Sequence, residues 1–503
     1  MEMTSAAVWS TIAVLLTTIL VARMVKRNTV TAAAAAAAKY CQPGMAIPHD
    51  PLRGCRQYPA VSGVALAIPV ITRGLQAVAG ELHRKLGSVF TVSFLGMIKV
   101  TFLVGPELQG DFFSRLDSEV CQGETYKMTV PVFGRGVLFD VDQATRTEQI
   151  AICFEALKPA RLRSNVETMV REVEEYFSRW GEQGTVDLKS ELNLVILMVA
   201  SRILLGKEVR ETMFDEFASL FGELKDNSMH LVSHYSPTLP ISRHRRRNAA
   251  SAGLKALFAR AIELRRASGR AEDDALQRLL ESRYRDGRPV SDNEVTGMLV
   301  ALLSAGHVTS SNTSTWTGAF LLSSPRHLAA AVDEQRRLAA RPVDHAALSA
   351  EMDTLHRCIK EALRLQPPVP LLLRSVRRGF AVRTREGKEY EVPRGHGLAC
   401  YIAFNHRLGR VYRDPGEYDP DRFGPERKED KAAGKFAFTA FGGGRHACLG
   451  EAYAFLQIKA IWSHLLRNFE LELVSPFPEV EVNNMMPGPG GKVMVSYKRR
   501  KLN

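Results

Sequence analysis

Between Ser291 and Leu322 the chain is almost free of charge after its first turn, and the run is closed by Pro325. Ser291 is answered three residues later by Glu294, the pairing that caps a helix start. The pattern predicts one helix of some 30 residues, roughly 45 Å long, enough to cross a whole domain. Phe455, Ile458, Trp462 and Leu465 repeat at helical spacing near the C-terminus and predict a second buried helix. Val89 to Val104 is instead rich in β-branched and aromatic residues around Gly96, which predicts a small two-stranded sheet. Beyond it helical patterns dominate. The stretch from Tyr126 to Val137 is broken by Pro131, Gly134 and Gly136, and reads as a covering loop rather than a regular element.

The N-terminus follows another rule. Ala6 to Ala22 is uncharged and largely apolar, and Arg23, Lys26 and Arg27 follow at once. A membrane-spanning helix needs about 17 residues at least, and snorkelling basic stems extend its reach. Positive charge lies on the C-terminal side, so the body of the protein is expected in the cytosol. A cleaved signal peptide carries its basic residues before the apolar run, not after it. The predicted organisation is an anchor over residues 1–27, a linker and membrane-proximal segment over 28–59, and one catalytic domain over 60–503. The tract Ala32–Ala38 and the Pro- and Gly-punctuated stretch Pro43–Pro69 belong to the approach from membrane to body.

The candidate chemistry sits in Phe441-Gly442-Gly443-Gly444-Arg445-His446-Ala447-Cys448-Leu449-Gly450. Consecutive glycines let a backbone take positive φ and approach a flat ligand closely. Cys448 then falls at or just before a helix N-terminus, where unpaired amides favour a thiolate. A lone cysteine beside a helix start is more often a buried free thiol. Here Phe441, Gly444, His446, Cys448 and Gly450 stand in one fixed register, and that register resembles the cysteine-ligand signature of the cytochrome P-450 family. The resemblance implies a mainly α-helical fold with small β-sheets, preceded here by a single transmembrane helix. It also implies a haem b whose iron takes Cys448 as axial thiolate ligand.

Further stretches resemble one branch, the sterol 14-alpha-demethylases, and within it the plant and green-algal form that acts on obtusifoliol. Tyr126 then reaches a haem propionate, as do Arg374 and His446, while Met128, Phe133 and Ala305 line the sterol cavity. Met128 stands where the plant form tends to have phenylalanine, so obtusifoliol over other sterols is only a lean. Glu361 and Arg364, three apart on a helix, are of a kind usually found as weak surface pairs. Their place upstream of Asp419-Pro420-Asp421-Arg422-Phe423 resembles the family's buried network, with Arg422 as third member. In Ala305-Gly306-His307-Val308-Thr309, Thr309 matches the threonine that helps deliver protons to bound oxygen. Relatives usually carry histidine directly before it. This chain has Val308 there and His307 one place earlier, turned by about 100°. Asp226 matches the acid that pairs with the missing histidine, so the catalytic candidates are Thr309, Asp226 and His307. Either protons pass through Thr309 and water, or the helix is wound differently.

Composition narrows the remainder. At 503 residues, 45% hydrophobic and 24% charged, the chain has material for a large core. Seven scattered cysteines without a CxxC pair argue against a disulfide framework or structural zinc and for a reducing compartment. The net charge of +13 suits an acidic protein or a membrane surface. Its clusters, Arg243-His244-Arg245-Arg246-Arg247 and Lys498-Arg499-Arg500-Lys501, lack interleaved aromatics, which excludes nucleic acid as the expected partner. The resemblance implies instead an NADPH-cytochrome reductase, dioxygen, membrane lipid and a sterol. It places the protein on the endoplasmic reticulum as a single-pass protein with a cytosolic catalytic domain. Another P-450 with a different apolar substrate, or a non-catalytic haem or sterol carrier, are the rival readings.

Overall fold

The computed structural model describes residues 59–94, 97–228, 237–269, 271–481 and 486–500. The predicted anchor at Ala6–Ala22, the alanine tract, Cys41, Cys55 and Gly96 lie outside them. Among the described residues no helix is long and apolar enough to cross a membrane. Helices dominate, with one six-stranded sheet and three smaller ones.

The predicted hairpin is present, Val89–Phe94 antiparallel to Ile98–Leu103, with Val89 opposite Leu103. It is part of a larger sheet. Ala60–Ser62 adds in parallel on one side, and Gly397–Tyr401, Leu371–Val376 and Val120–Cys121 follow on the other. The end of the Pro43–Pro69 stretch is thus more regular than its proline and glycine suggest: a strand, then the helix Gly63–Leu86. That helix accommodates Pro69 and breaks at Gly74, whose φ of 79° leaves the helical region.

The long helix spans Asp292–Leu322, 31 residues. Its start is the capping box expected from Ser291 and Glu294, with both reciprocal hydrogen bonds made. It packs against helices Leu188–Ala200, Ser242–Ser268, Asp353–Leu365 and Glu451–Asn468, which makes it the axis of the main core. Tyr126–Val137 departs from the sequence expectation. It is not an irregular loop but a short turn, Lys127–Thr129, followed by one helical turn, Val130–Phe133. Pro131 was read as a breaker, but in a first turn proline costs no hydrogen bond and its fixed φ suits the helix.

This segment is seated on the long helix at Gly297. A Cβ there would lie 2.4 Å from the Phe133 carbonyl oxygen and 2.5 Å from Val137, so only glycine admits the contact. Gly297→Ala is therefore expected to push the segment off the helix and cost about 1–3 kcal/mol, the usual penalty of overpacking. The fall in denaturation midpoint measures it.

Candidate active site

Cys448 lies three residues before helix Glu451–Asn468. Its own amide donates to the Phe441 carbonyl at 2.8 Å, closing the loop into a ring. Gly444 has φ 61°, and a Cβ on it would sit 2.1 Å from the Phe113 carbonyl oxygen, so the loop lies directly on the end of helix Pro106–Ser114. The amides of Gly450 and Glu451 lower the Cys448 thiol pKa, as expected at a helix start. Their effect is smaller than the sequence suggests. Burial pushes the thiol above its ordinary range, with the Glu451 charge adding to this against the two amides. A cation bound at the sulfur supplies what the helix end does not.

The loop is held from behind by a fully buried ion network. Glu361, Arg364 and Arg422 are each 0% exposed. Arg364 donates to Glu361 through Nε at 2.7 Å and Nη2 at 2.8 Å, and Arg422 Nε donates to Glu361 Oε1 at 2.9 Å. Arg422 also reaches Glu429 at 2.7 Å. The remaining guanidinium hydrogens go to the carbonyls of His406, Pro415, Glu417, Arg413 and Asp414. His406 passes the restraint on: its Nε2 accepts the Thr439 amide at 2.9 Å and its ring stacks on Phe438 at 5.1 Å. Both residues lead directly into the cysteine loop.

A haem would meet matching groups here. Arg374, on strand Leu371–Val376, is 3% exposed, pairs with no carboxylate among the described residues, and has a buried Nε without a partner. Such a guanidinium calls for an anion. His446 lies within its field: burial lowers the His446 pKa, Arg374 and Arg146 lower it further, and Asp117 opposes them. The Asp117 carboxylate stands 2.7 Å from His446 Nε2 and 3.7 Å from Arg146. Arg146 lies over the Phe139 ring at 6.0 Å, and Phe139 stacks on Tyr126 at 5.2 Å. Tyr126, Arg374 and His446 are thus brought toward one rim, with Asp117 and Arg146, which the sequence reading missed, between them. The residues present fit a flat ligand carrying a cation for Cys448 at its centre and carboxylates for Arg374 at its edge.

Met128 and Phe133 are buried, and Ala305 is exposed on the long helix. The Thr309 hydroxyl donates back to the Ala305 carbonyl at 2.8 Å. His307 does not join it. Its Nε2 bonds the Asn193 carbonyl oxygen at 3.0 Å, its ring meets Phe221 edge-on at 5.3 Å, and Nδ1 is buried without a partner. The two steps from His307 to Thr309 rotate the helix by about 200°, which puts the two side chains on opposite faces. Asp226 has a side chain 73% exposed, 3.6 Å from Lys225, so the structure does not assemble a Thr309–Asp226–His307 path. Another His and Asp cluster, His327, Asp419 and Asp421, is already committed to Arg326, Arg357 and Arg427.

A family model described as Cytochrome P450 matches residues 60–502. The obtusifoliol 14-alpha demethylase of Sorghum bicolor is 54% identical over 433 residues, covering 86% of this chain and 87% of that protein. The sterol 14-demethylase of Arabidopsis thaliana is 53% identical over 425 residues, covering 84% and 86%. Among solved structures, retinoic acid bound cyanobacterial CYP120A1 superposes with a TM-score of 0.75 at 23% identity, covering 89% of this chain and all of that one, a likeness of fold.

Two measurements check the site. Glu361→Ala strands two buried guanidiniums and is expected to cost about 3–5 kcal/mol, seen as a lower unfolding midpoint together with loss of bound haem. His307 titrates near pH 4 when folded, lowered from 6.5 first by burial and then by Lys225. Its contribution is complete above pH 6.5 and is lost as pH falls toward 4, because the unfolded chain takes up the proton first. His307→Asn is therefore expected to reduce proton uptake on unfolding near pH 5 by about one.

Proposed function

The chain belongs to the cytochrome P450 family, and from that membership we infer that it removes the 14-alpha methyl group of a sterol during sterol biosynthesis. The observation that carries this is the identity with the Sorghum and Arabidopsis demethylases over most of the chain. The reaction is three successive oxygenations that release the methyl carbon as formate. Haem, when bound, supplies dioxygen activation with electrons delivered from NADPH through a reductase. The rest falls to this chain.

Cys448 would hold the haem iron through its thiolate, on the loop shaped by Phe441, Gly444 and Gly450. Arg374, His446 and Tyr126 would bind the haem carboxylates. Met128, Phe133 and Ala305 would line the sterol cavity and keep water out. Thr309 is the proton-handling group. While its hydroxyl hydrogen is bonded to the Ala305 carbonyl, its lone pairs face the groove and accept from water there. Handing a proton forward requires that back-bond to exchange. Val308 leaves the path to Thr309 and water, since His307 is buried on the other face.

The substrate we favour is obtusifoliol, the sterol in the Sorghum relative's name. We place the protein on the endoplasmic reticulum membrane, with residues 1–27 as the anchor, 28–59 as the linker and 60–503 in the cytosol. The uncharged Ala6–Ala22 run and the basic residues after it support this. The +13 charge suits an acidic surface on the reductase.

Reconstitution of the full chain with reductase, NADPH and obtusifoliol is expected to give formate and the demethylated sterol in equal amounts. A spectral shift on sterol binding with no formate would replace the enzyme by a carrier.

A further inference from the structure

Gln149 takes no part in the chemistry above, yet it is fully buried on helix Gln143–Ala156 and joins the turn at Gly136 and Leu138 to Tyr284. Its Oε1 accepts the Leu138 amide at 2.6 Å, and its Nε2 donates to the Gly136 carbonyl at 2.9 Å. Nε2 also donates to the Tyr284 hydroxyl at 2.9 Å. Tyr284 in turn donates to Glu294 Oε1 at 2.8 Å. Glu294 is the capping residue of the long helix, fixed by Ser291 at 2.7 and 2.8 Å and by Arg288 at 3.0 and 3.1 Å.

The residue restrained by this relay is strained. Leu138 has φ 48°, in the left-handed region that a branched side chain rarely enters. Its neighbours carry the consequence in both directions. Phe139 stacks on Tyr126, and Val137 presses with Phe133 on Gly297. Ala305 and Thr309 stand on the same helix whose first turn anchors the relay.

We propose that Gln149 is a positioning residue for sterol binding: it holds the turn at Leu138 and thereby sets the depth of the segment from Tyr126 to Phe139 over the pocket. A carboxamide accepts at its oxygen and donates twice at its nitrogen, as the Leu138 N–H, the Gly136 carbonyl and the Tyr284 hydroxyl require. Without it both backbone groups lose buried partners, and nothing compensates the positive φ. Gly136 and Leu138 then relax, and the Tyr126 ring and the Phe133 turn move with them. This inference rests on the reading of that segment as the cover of a sterol site.

The test uses the full-length, haem-loaded protein with Gln149→Leu. The expected result is an intact carbon monoxide absorption band of thiolate-ligated haem. The obtusifoliol Kd from the substrate-induced spectral shift rises on the order of ten-fold, while kcat at saturating sterol changes much less. Adding Leu138→Gly, which adopts positive φ without strain, should recover most of the lost affinity. An unchanged Kd, or a weakened Kd that Leu138→Gly does not recover, overturns the proposal. If Gln149→Leu yields no haem-loaded protein, Tyr284→Phe removes a single hydroxyl and carries the test: weaker sterol binding with the band intact supports it, and unchanged binding overturns it. Wild-type protein that binds haem but shifts with no sterol removes the functional reading itself, and this inference with it.

Discussion

Three charges with no access to water, Glu361, Arg364 and Arg422, hold the half of the molecule that presents the sulfur. Burying them is expensive, and their mutual attraction alone repays little of the cost. What makes the arrangement favourable is the set of carbonyls they satisfy. Arg413, Asp414, Pro415 and Glu417 belong to a segment with neither helix nor strand of its own, so their oxygens have no ladder to join. The guanidiniums take the place of that ladder. An apolar triad of the same volume would fill the space and leave the Arg413, Pro415 and Glu417 carbonyls unpaired, Asp414 alone keeping the Glu417 amide, so the usual gain from replacing a buried ion pair does not apply here. The restraint then runs through His406 and the Thr439 amide to Phe441, and from its carbonyl to the Cys448 amide.

The opposite wall depends on one helix in the same way. Its capping box does two jobs: Glu294 satisfies the Ser291 amide and also receives Tyr284, so the helix end is tied through Gln149 to the turn at Gly136 and Leu138. Helical geometry then decides which side chains share a face. Thr309 and Ala305 are four apart and share a face, whereas His307 falls on the far side, where a carbonyl from helix Leu188–Ala200 claims it. His307 is thus committed to packing rather than to the face that carries Thr309.

Much of this was legible in the sequence, and the exceptions have physical reasons. The long helix was legible because a capping box, an uncharged run and a proline stop all agree. The hairpin at Val89 was legible from its residue types, but not its place in a six-stranded sheet, which depends on strands some 300 residues away in the chain. Glu361 and Arg364 have the spacing of a weak surface pair, and only the fold buries them. Asp117 and Arg146 left no local signal because His446 lies 329 residues from Asp117. Gln149 sits mid-helix among polar residues and looks solvated until Tyr284 is seen behind it. At Val130–Phe133 the breakers misled: proline and glycine there bound one short helical turn at its two ends rather than preventing it.

Electrostatics at the centre point to one ligand class. The Cys448 side chain is exposed, yet desolvation by the surrounding protein raises its thiol pKa against the two amides, and a cation bound at the sulfur would displace its proton. Arg374 is buried on a strand next to the same loop with an unsatisfied Nε and no acidic partner in the described chain, so it asks for an anion. A metal ion alone answers the first demand and a carboxylate alone the second. A rigid ring with iron at its centre and carboxylates at its rim answers both at once. The strand and the loop are each fixed independently, by the sheet and by the ion network, so the separation between the two demands is set before any ligand arrives, and the ordering cost of binding is correspondingly small.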